Sequence, residues 1–293
     1  MNKADKYLLD TIADILKNGY LDENPRPKYS DGTPAHTYSV NHNVRKYDLS
    51  KGEFPITSLR PIAWKSAIKE ILWIYQEQSN SLKVLRDKYG VKYWNDWESK
   101  MMPNTIGARY GEVVRRYDLI NELLKELVED PFGRRHIIDL YQYKELQETD
   151  GLYPCAFLTI WNVRQGRDNK KYLDMCMVQR SGDMLTASGA GGVNEVQYAA
   201  LLMMVARHCG YEAGMFTHFV ANEQIYDRHI EQGKEMLKRG IDMIIDYKSN
   251  VVQPNPQLVL NPDVKNFFEI KFEDFTMENY EVKYPQLKFP LGI

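Results

Sequence analysis

The spacing of apolar residues changes partway along this chain, and that change limits the folds open to it. Up to about residue 130 the spacing is helical. Leu8, Ile12, Ile15 and Leu16 share one face of a first helix that Asn18-Gly19 stops, and a turn-rich segment runs from Asp22 to Gly32. A second helix, starting near Pro61, carries Trp64, Ala67, Ile68, Ile71, Leu72 and Tyr75. A third carries Leu119, Ile120, Leu123, Leu124 and Leu127 and ends before Asp130-Pro131. Beyond it, RRHIIDLY, CAFLTIWNV, YLDMCMVQR and MFTHFVA are short β-branched and aromatic runs that read as strands. Between the last two lie a glycine-rich loop, SGAGGVN, and a helix from about Glu195 to Cys209 closed by Gly210. From Val259 onward the pattern gives further short strands and loops. Helices first, then strands with one long helix embedded among them, predict an α+β fold with a mixed sheet. With no repeat and no linker-like stretch, residues 1–293 are expected to form a single domain.

Composition removes several classes of function. Hydrophobic residues at 43% and charged residues at 27% provide for a core and argue against disorder. Lys+Arg 38 against Asp+Glu 40 leaves a formal charge of -2, so no electrostatic case for a DNA partner exists, although a local cationic pocket does not need one. The longest apolar run, Ala199–Ala206, is too short for a membrane helix. The start MNKADKYLLD lacks the apolar stretch of a secretion signal, and Cys155, Cys176 and Cys209 form no CxxC pair. Reduced thiols and a cytoplasmic location are therefore expected. The six histidines are scattered, with no HExxH and no Cys/His cluster, so no metal is expected.

Some residues have chemistry beyond packing. Cys155, in Tyr153-Pro154-Cys155-Ala156, sits at a strand entry. On local sequence alone it is a small buried hydrophobe, and a nucleophilic role needs a tertiary cation to hold its thiolate. Candidate cations are Arg134 and Arg135 in DPFGRRH, Arg180 in Gln179-Arg180-Ser181, and Arg26 in the early loop. Each alone reads as a surface ion pair, but several with a serine could bind a phosphate monoester. Adjacent Arg134 and Arg135 can converge on one anion only at an irregular strand end. The SGAGGVN loop lacks the third glycine of a dinucleotide cradle, and Asn194 stands where a helix N-cap belongs, or reads a base with its amide. Glu70, on an apolar helix, either points to solvent or is poised for proton transfer. Trp94 and Trp97 either pack the core or stack a flat heterocycle.

Taken in order, Trp94/Trp97, Tyr110-Gly111, DPFGRRH, YPC, QRSGD, Asn194 and the Ile225-Tyr226 to His229 segment resemble the folate-dependent, cysteine-nucleophile thymidylate synthase family. The resemblance runs over essentially the whole chain, from DGTPAHT through LNPDV to the final isoleucine. It implies reductive methylation of dUMP to dTMP with 5,10-methylenetetrahydrofolate as carbon and hydride donor, and no metal. It also implies a sandwich-like homodimer with sheets facing across the interface. In such an enzyme Cys155 adds to carbon 6 of uracil, making carbon 5 nucleophilic. Glu70 organises proton transfers, and the carbon 5 proton leaves to a base reached through Tyr110 or ordered water. Arg26, Arg180 and Ser181 hold the dUMP phosphate, with Arg134 and Arg135 reaching across from the partner subunit, and Gln179 is a further substrate-binding residue. Arg180 also favours the Cys155 thiolate. Asn194 reads uracil, Tyr226 the ribose, and Asp183 the pterin, beside Trp94, Trp97 and the C-terminal Ile293.

The chain departs from the family pattern in three places. MLTASGAGGVN between Asp183 and Asn194 is longer, with Gly192-Val193 in place of Pro-Phe. Ala221-Asn222-Glu223-Gln224 replaces Gly-Asp-x-His, so a histidine becomes Gln224, which cannot titrate. Ala156 replaces the usual histidine after the cysteine. Two rivals remain: a pyrimidine-nucleotide hydroxymethylase of the same family, and a catalytically silent nucleotide- or RNA-binding paralogue.

Overall fold

The computed structural model describes residues 1–247 and 254–292. Its centre is a seven-stranded mixed sheet in the order β1-β2-β7-β5-β4-β3, with the short β6 paired to β7. The strands are β1 (Tyr20–Leu21), β2 (Thr37–Asp48), β3 (Ile137–Asp139), β4 (Ala156–Gln165), β5 (Lys171–Gln179), β6 (Gly182–Asp183) and β7 (Glu212–Tyr226). Only β5 and β6 run parallel to β7, and the other pairings are antiparallel. The expected α+β class with a mixed sheet is what forms.

The helix between the two parallel strands is α7 (Val193–Cys209), with Gly210 in the left-handed conformation at its C-cap. It carries no polar stripe of any width, and Val196, Ala199, Leu201, Leu202, Met204 and Val205 are all fully buried. An all-round apolar helix needs cover on every side. The sheet covers one side and α2 (Trp64–Tyr75) another, with Ile68, Ile71 and Trp73 fully enclosed. Along the sheet, the face toward α7 holds Trp161, Met175, Met177 and Phe216, all sealed. The opposite face is another matter. Leu158, Val178, Phe219 and Val44 stand in one register row across β4, β5, β7 and β2, three half-buried and Val44 49% exposed.

The α1 helix (Lys3–Asn18) packs against α8 (Ile230–Tyr247), buries Leu8, Ile12 and Ile15, and starts in a capping box between Asn2 and Asp5. Helices α3 (Leu82–Tyr89), α4 (Gly111–Arg116), α5 (Leu119–Glu129) and α6 (Tyr143–Glu148) complete the helical side, and β8 (Gln257–Leu260) pairs with β9 (Phe275–Glu278).

Three expectations need correction, and strand β2 forms in a stretch that the sequence left without a reading, because most of its residues are polar. The second helix starts at Trp64 rather than near Pro61. RRHIIDLY supplies only three strand residues, so Arg134 and Arg135 precede β3 in irregular chain. The cap of α7 is Gly192, which places Asn194 inside the first helical turn and not at the N-cap.

Candidate active site

Cys155 stands immediately before β4, where the chain enters the sheet beside the end of β5. The Arg180 N–H donates to the Cys155 carbonyl at 2.9 Å, which zips the two strand ends together. The guanidinium then wraps the same turn, donating to Pro154 O and Tyr153 O at 2.9 Å each, with Nη2 3.6 Å from Cys155 Sγ. Burial pushes the Cys155 thiol up, and the Arg180 charge opposes it. Arg180 is thus the tertiary cation that the cysteine needs.

Tyr110 meets Cys155 from the other side. Its hydroxyl accepts the Cys155 N–H at 3.3 Å. It sits at φ 46°, ψ -109°, a sparsely populated backbone state for a tyrosine. The next residue permits that turn. A Cβ on Gly111 would lie 2.2 Å from Ser79 O, so only glycine lets α4 start here. The Tyr110 ring meets Trp94 edge to face at 5.5 Å, and Trp94 meets Trp97 at 5.8 Å. Behind them lies Glu70 on α2, 5% exposed, accepting from the Tyr93 hydroxyl. Burial raises the Glu70 pKa, and Tyr93, Trp94 and Gln197 hold it down in part. The solvent-facing reading of Glu70 is therefore excluded.

A second wall comes from the same end of the sheet, where β7 runs on past the end of β5. Tyr226, at the end of β7, is 8% exposed. Its phenol is pushed up to about 12, first by burial, then by Asp183, with Arg26 opposing and Cys155 adding to the rise. Those three groups therefore act on one ring. Asp183 closes β6 and caps a π-helical turn, Met184–Ser188. Its carboxylate accepts from the Leu185 N–H at 3.3 Å and the Thr186 hydroxyl at 2.5 Å. The lengthened 184–193 loop takes this path, and Gly191, at φ +66°, packs so tightly that a Cβ would lie 2.3 Å from Thr57 N. Asn194 is half-buried, its Oδ1 accepting from Ser188 at 2.8 Å and its Nδ2 donating to Gln197 at 3.0 Å.

Beneath the site lies a buried polar cluster that nothing in the sequence announced. Arg45 pairs with Glu195 at 3.0 Å and with Glu223. Glu195 also accepts from Tyr47 at 2.8 Å and from the Gly191 N–H at 2.6 Å. Burial alone would raise the Glu195 pKa, but Arg45 and His218 outweigh it and hold it low. His218 bridges Glu195 at 2.8 Å and Gln179 at 3.0 Å, and Gln179 donates to Ser181 O at 2.9 Å.

The structure thus brings Cys155, Arg180, Tyr110, Trp94, Trp97 and Glu70 into one continuous wall, with Tyr226, Asp183 and Arg26 as electrostatic neighbours. Gln179 is fully enclosed, its amide taken up by His218 and Ser181, so it supports the QRS turn from below. Ser181 is half-buried beside Arg180. Arg134 and Arg135 are exposed and make no ion pair among the described residues. Ile293 lies outside the described residues. The preceding Gly292 sits so close that an added Cβ would come 2.9 Å from the Tyr226 ring. Sequence reasoning missed Tyr93, Gln197 and the Arg45–Glu195 pair. Their one local signal is proximity to Trp94 and Asn194. Among the described residues, no group of three or more His, Cys, Asp or Glu is placed to hold a metal ion.

A family model described as "Thymidylate synthase" matches residues 6–293. A thymidylate synthase of Streptococcus pneumoniae is 53% identical over 294 residues, covering 100% of both chains. One of Streptococcus gordonii is 50% identical over 297 residues, again with 100% coverage of each. Among solved structures, the thermostable thymidylate synthase A from Bacillus subtilis superposes with a TM-score of 0.85 at 33% identity, covering 99% of each chain. Placed beside a half-buried cysteine flanked by a guanidinium and a tyrosine, these matches leave one conclusion: the chain belongs to the thymidylate synthase family.

Proposed function

We infer that this protein is a methyltransferase that converts dUMP to dTMP with 5,10-methylenetetrahydrofolate as co-substrate. The observation that carries the reading is the 3.6 Å approach of the Arg180 guanidinium to Cys155 Sγ, at the foot of an aromatic wall ending in a buried carboxyl. Cys155 supplies the nucleophile that adds to carbon 6 of uracil, and Arg180 stabilises its thiolate while turning its remaining donors toward the phosphate. Arg26 and Ser181 complete the phosphate site within the subunit, while Gln179 braces Ser181. Asn194 reads the uracil edge, its amide oriented by Ser188 and Gln197. Tyr226 meets the ribose. Glu70 and Tyr110 handle the protons.

The folate, when bound, supplies the one-carbon unit and the hydride. The site has the chemistry to hold it. The half-buried Trp97 ring, braced edge to face by the enclosed Trp94, suits a pterin, and the Asp183 carboxylate suits its N–H donors. Ile293 would close over that pocket. Because dUMP and folate must share a space shielded from water, those rings also favour hydride over water as the final donor.

The chain acts as one catalytic domain in the cytoplasm and pairs through the apolar row Leu158, Val178, Phe219 and Val44. Exposed Arg134 and Arg135 then reach the partner's phosphate site. The test mixes protein, dUMP and methylenetetrahydrofolate, follows dihydrofolate by absorbance and identifies the nucleotide. The expected result is dTMP matched by dihydrofolate. Hydroxymethyl-dUMP without dihydrofolate would assign the hydroxymethylase reaction instead, and absence of product with retained nucleotide binding would assign a binding paralogue.

A further inference from the structure

We propose that Tyr93 is a positioning residue for Glu70: its phenol donates into the carboxylate and fixes the rotamer from which that group moves protons. This deepens the role given to Glu70 above and rests on it. Glu70 sits in a helix where Ile68, Ile71, Leu72, Trp73 and Ile74 are all buried. Among the described residues no lysine or arginine pairs with it. A buried carboxyl without a cation depends on neutral donors to stay ordered. Two nitrogens nearby, Trp94 Nε1 and Gln197 Nε2, are sealed from solvent but make no well-formed hydrogen bond. The Tyr93 hydroxyl is the donor that does, and it binds Oε2, while Trp94 and Gln197 add only weaker polar contacts to the carboxylate.

Tyr93 itself is an odd residue to explain by packing. It opens the 3₁₀ turn Tyr93–Trp97 and is 41% exposed, so much of its ring gains nothing from burial. Its hydroxyl is the part that reaches inside. The same turn presents Trp94 to Tyr110, so one short element sets both the aromatic wall and the carboxyl behind it. The titratable groups facing Glu70 are the phenols of Tyr93, Tyr110 and Tyr198. Gln197 and Trp94 add neutral polar atoms. No fixed charge is among them, so the loss of one donor is not masked by a neighbouring ion.

The test compares Tyr93→Phe, Glu70→Gln and the double variant in dTMP formation against pH. A hydrogen bond to the charged form of a carboxyl lowers its pKa, so removing the phenol raises it. The limb of the kcat profile that Glu70→Gln abolishes should move upward by about one pH unit in Tyr93→Phe. At neutral pH kcat should fall by roughly fivefold with KM for dUMP within about twofold, because dUMP contacts are untouched. The double variant should be no slower than Glu70→Gln alone, since both act on one group. A Tyr93→Phe profile that overlays the parent, with Glu70→Gln inactive, overturns the proposal and leaves the role of Glu70 standing. An unimpaired Glu70→Gln overturns that role and this inference with it. Should Tyr93→Phe fail to fold by circular dichroism, 3-fluorotyrosine at position 93 replaces it. Its more acidic phenol should move the limb downward, and an unmoved limb overturns the proposal.

Discussion

A cysteine in this fold starts at a disadvantage, because burial raises the pKa of its thiol and only Arg180 works against that. The balance makes reactivity dependent on one guanidinium, and it gives a signed prediction. Thiolate forms as pH rises through the thiol pKa, so the rate of Cys155 alkylation by iodoacetamide should climb with pH. In Arg180→Met the attraction is lost, and that curve should move to higher pH by about one unit, slowing alkylation about tenfold at any pH below both midpoints. An identical curve for the two proteins would show that Arg180 serves only to brace the Tyr153 and Pro154 carbonyls. Cys155→Ala removes the proposed nucleophile without disturbing Arg180's bonds to those carbonyls. It should abolish dTMP formation while dUMP binding stays measurable by calorimetry. At the base, Asn194→Asp should shift preference from dUMP toward dCMP, since a carboxylate accepts from an exocyclic amine where an amide donates to a carbonyl. An unchanged dUMP/dCMP ratio would reduce Asn194 to a partner of Ser188 and Gln197.

Short elements set the wall, and an internal arginine ties them together. Arg109, fully buried before the Tyr110 turn, donates to the carbonyls of Leu146 at 3.1 Å, Thr149 at 2.6 Å and Ala108 at 3.0 Å, and also to Glu145 O. It thereby closes the C-terminal end of α6 and fastens the Tyr110 turn to the chain leading into Cys155. Arg109→Met fills similar volume but leaves those carbonyls unpaired, and should cost about 3 kcal/mol in denaturant unfolding. A loss under about 0.5 kcal/mol would mean that water replaces the guanidinium. None of this was visible in the sequence, because the partners lie about 40 residues apart and no local pattern links them (an isolated Arg reads as surface). The same physics separates what was legible from what was not. Helix α7, β4 and β5 declared themselves because their apolar runs are dense. Strand β2 did not, since its Arg45 points inward to Glu195 and Glu223, reversing the usual inside–outside pattern. Asn194 looked like a cap because Ser-Gly-Ala-Gly-Gly reads as loop, yet Gly192 already holds that position. The chemistry of the site survived these errors. Cys155, Arg180, Tyr110 and Trp94 are joined by motifs whose order is informative, whereas the Glu70–Tyr93 bond spans 23 residues and needed the fold.

Whole-molecule organisation turns on the uncovered side of the sheet. Leu158, Val178 and Phe219 are only half-buried although they stand side by side on three central strands, and Val44 extends the row. Apolar surface at a sheet centre favours a second layer. If a second copy of the chain supplies it with matching rows, as proposed, Phe219→Asp should produce a monomer on size-exclusion chromatography. Pairing across that face would also give a use to Arg134 and Arg135, which make no ion pair among the described residues. If each phosphate site takes its arginines from the other subunit, two inactive proteins can repair one another. A Cys155→Ala dimer lacks the nucleophile, and an Arg134→Glu/Arg135→Glu dimer lacks the borrowed cations. In a hybrid, the subunit with an intact Cys155 receives intact arginines from its partner, so one of its two sites is whole. Random exchange of equal amounts makes half the dimers hybrid, and activity should recover to about one quarter of the parent. The recovery must appear only after subunit exchange, for instance on mild denaturation and refolding of the mixture. Failure to recover, with hybrid dimers verified by mass, would place both arginines in their own subunit's site or in none.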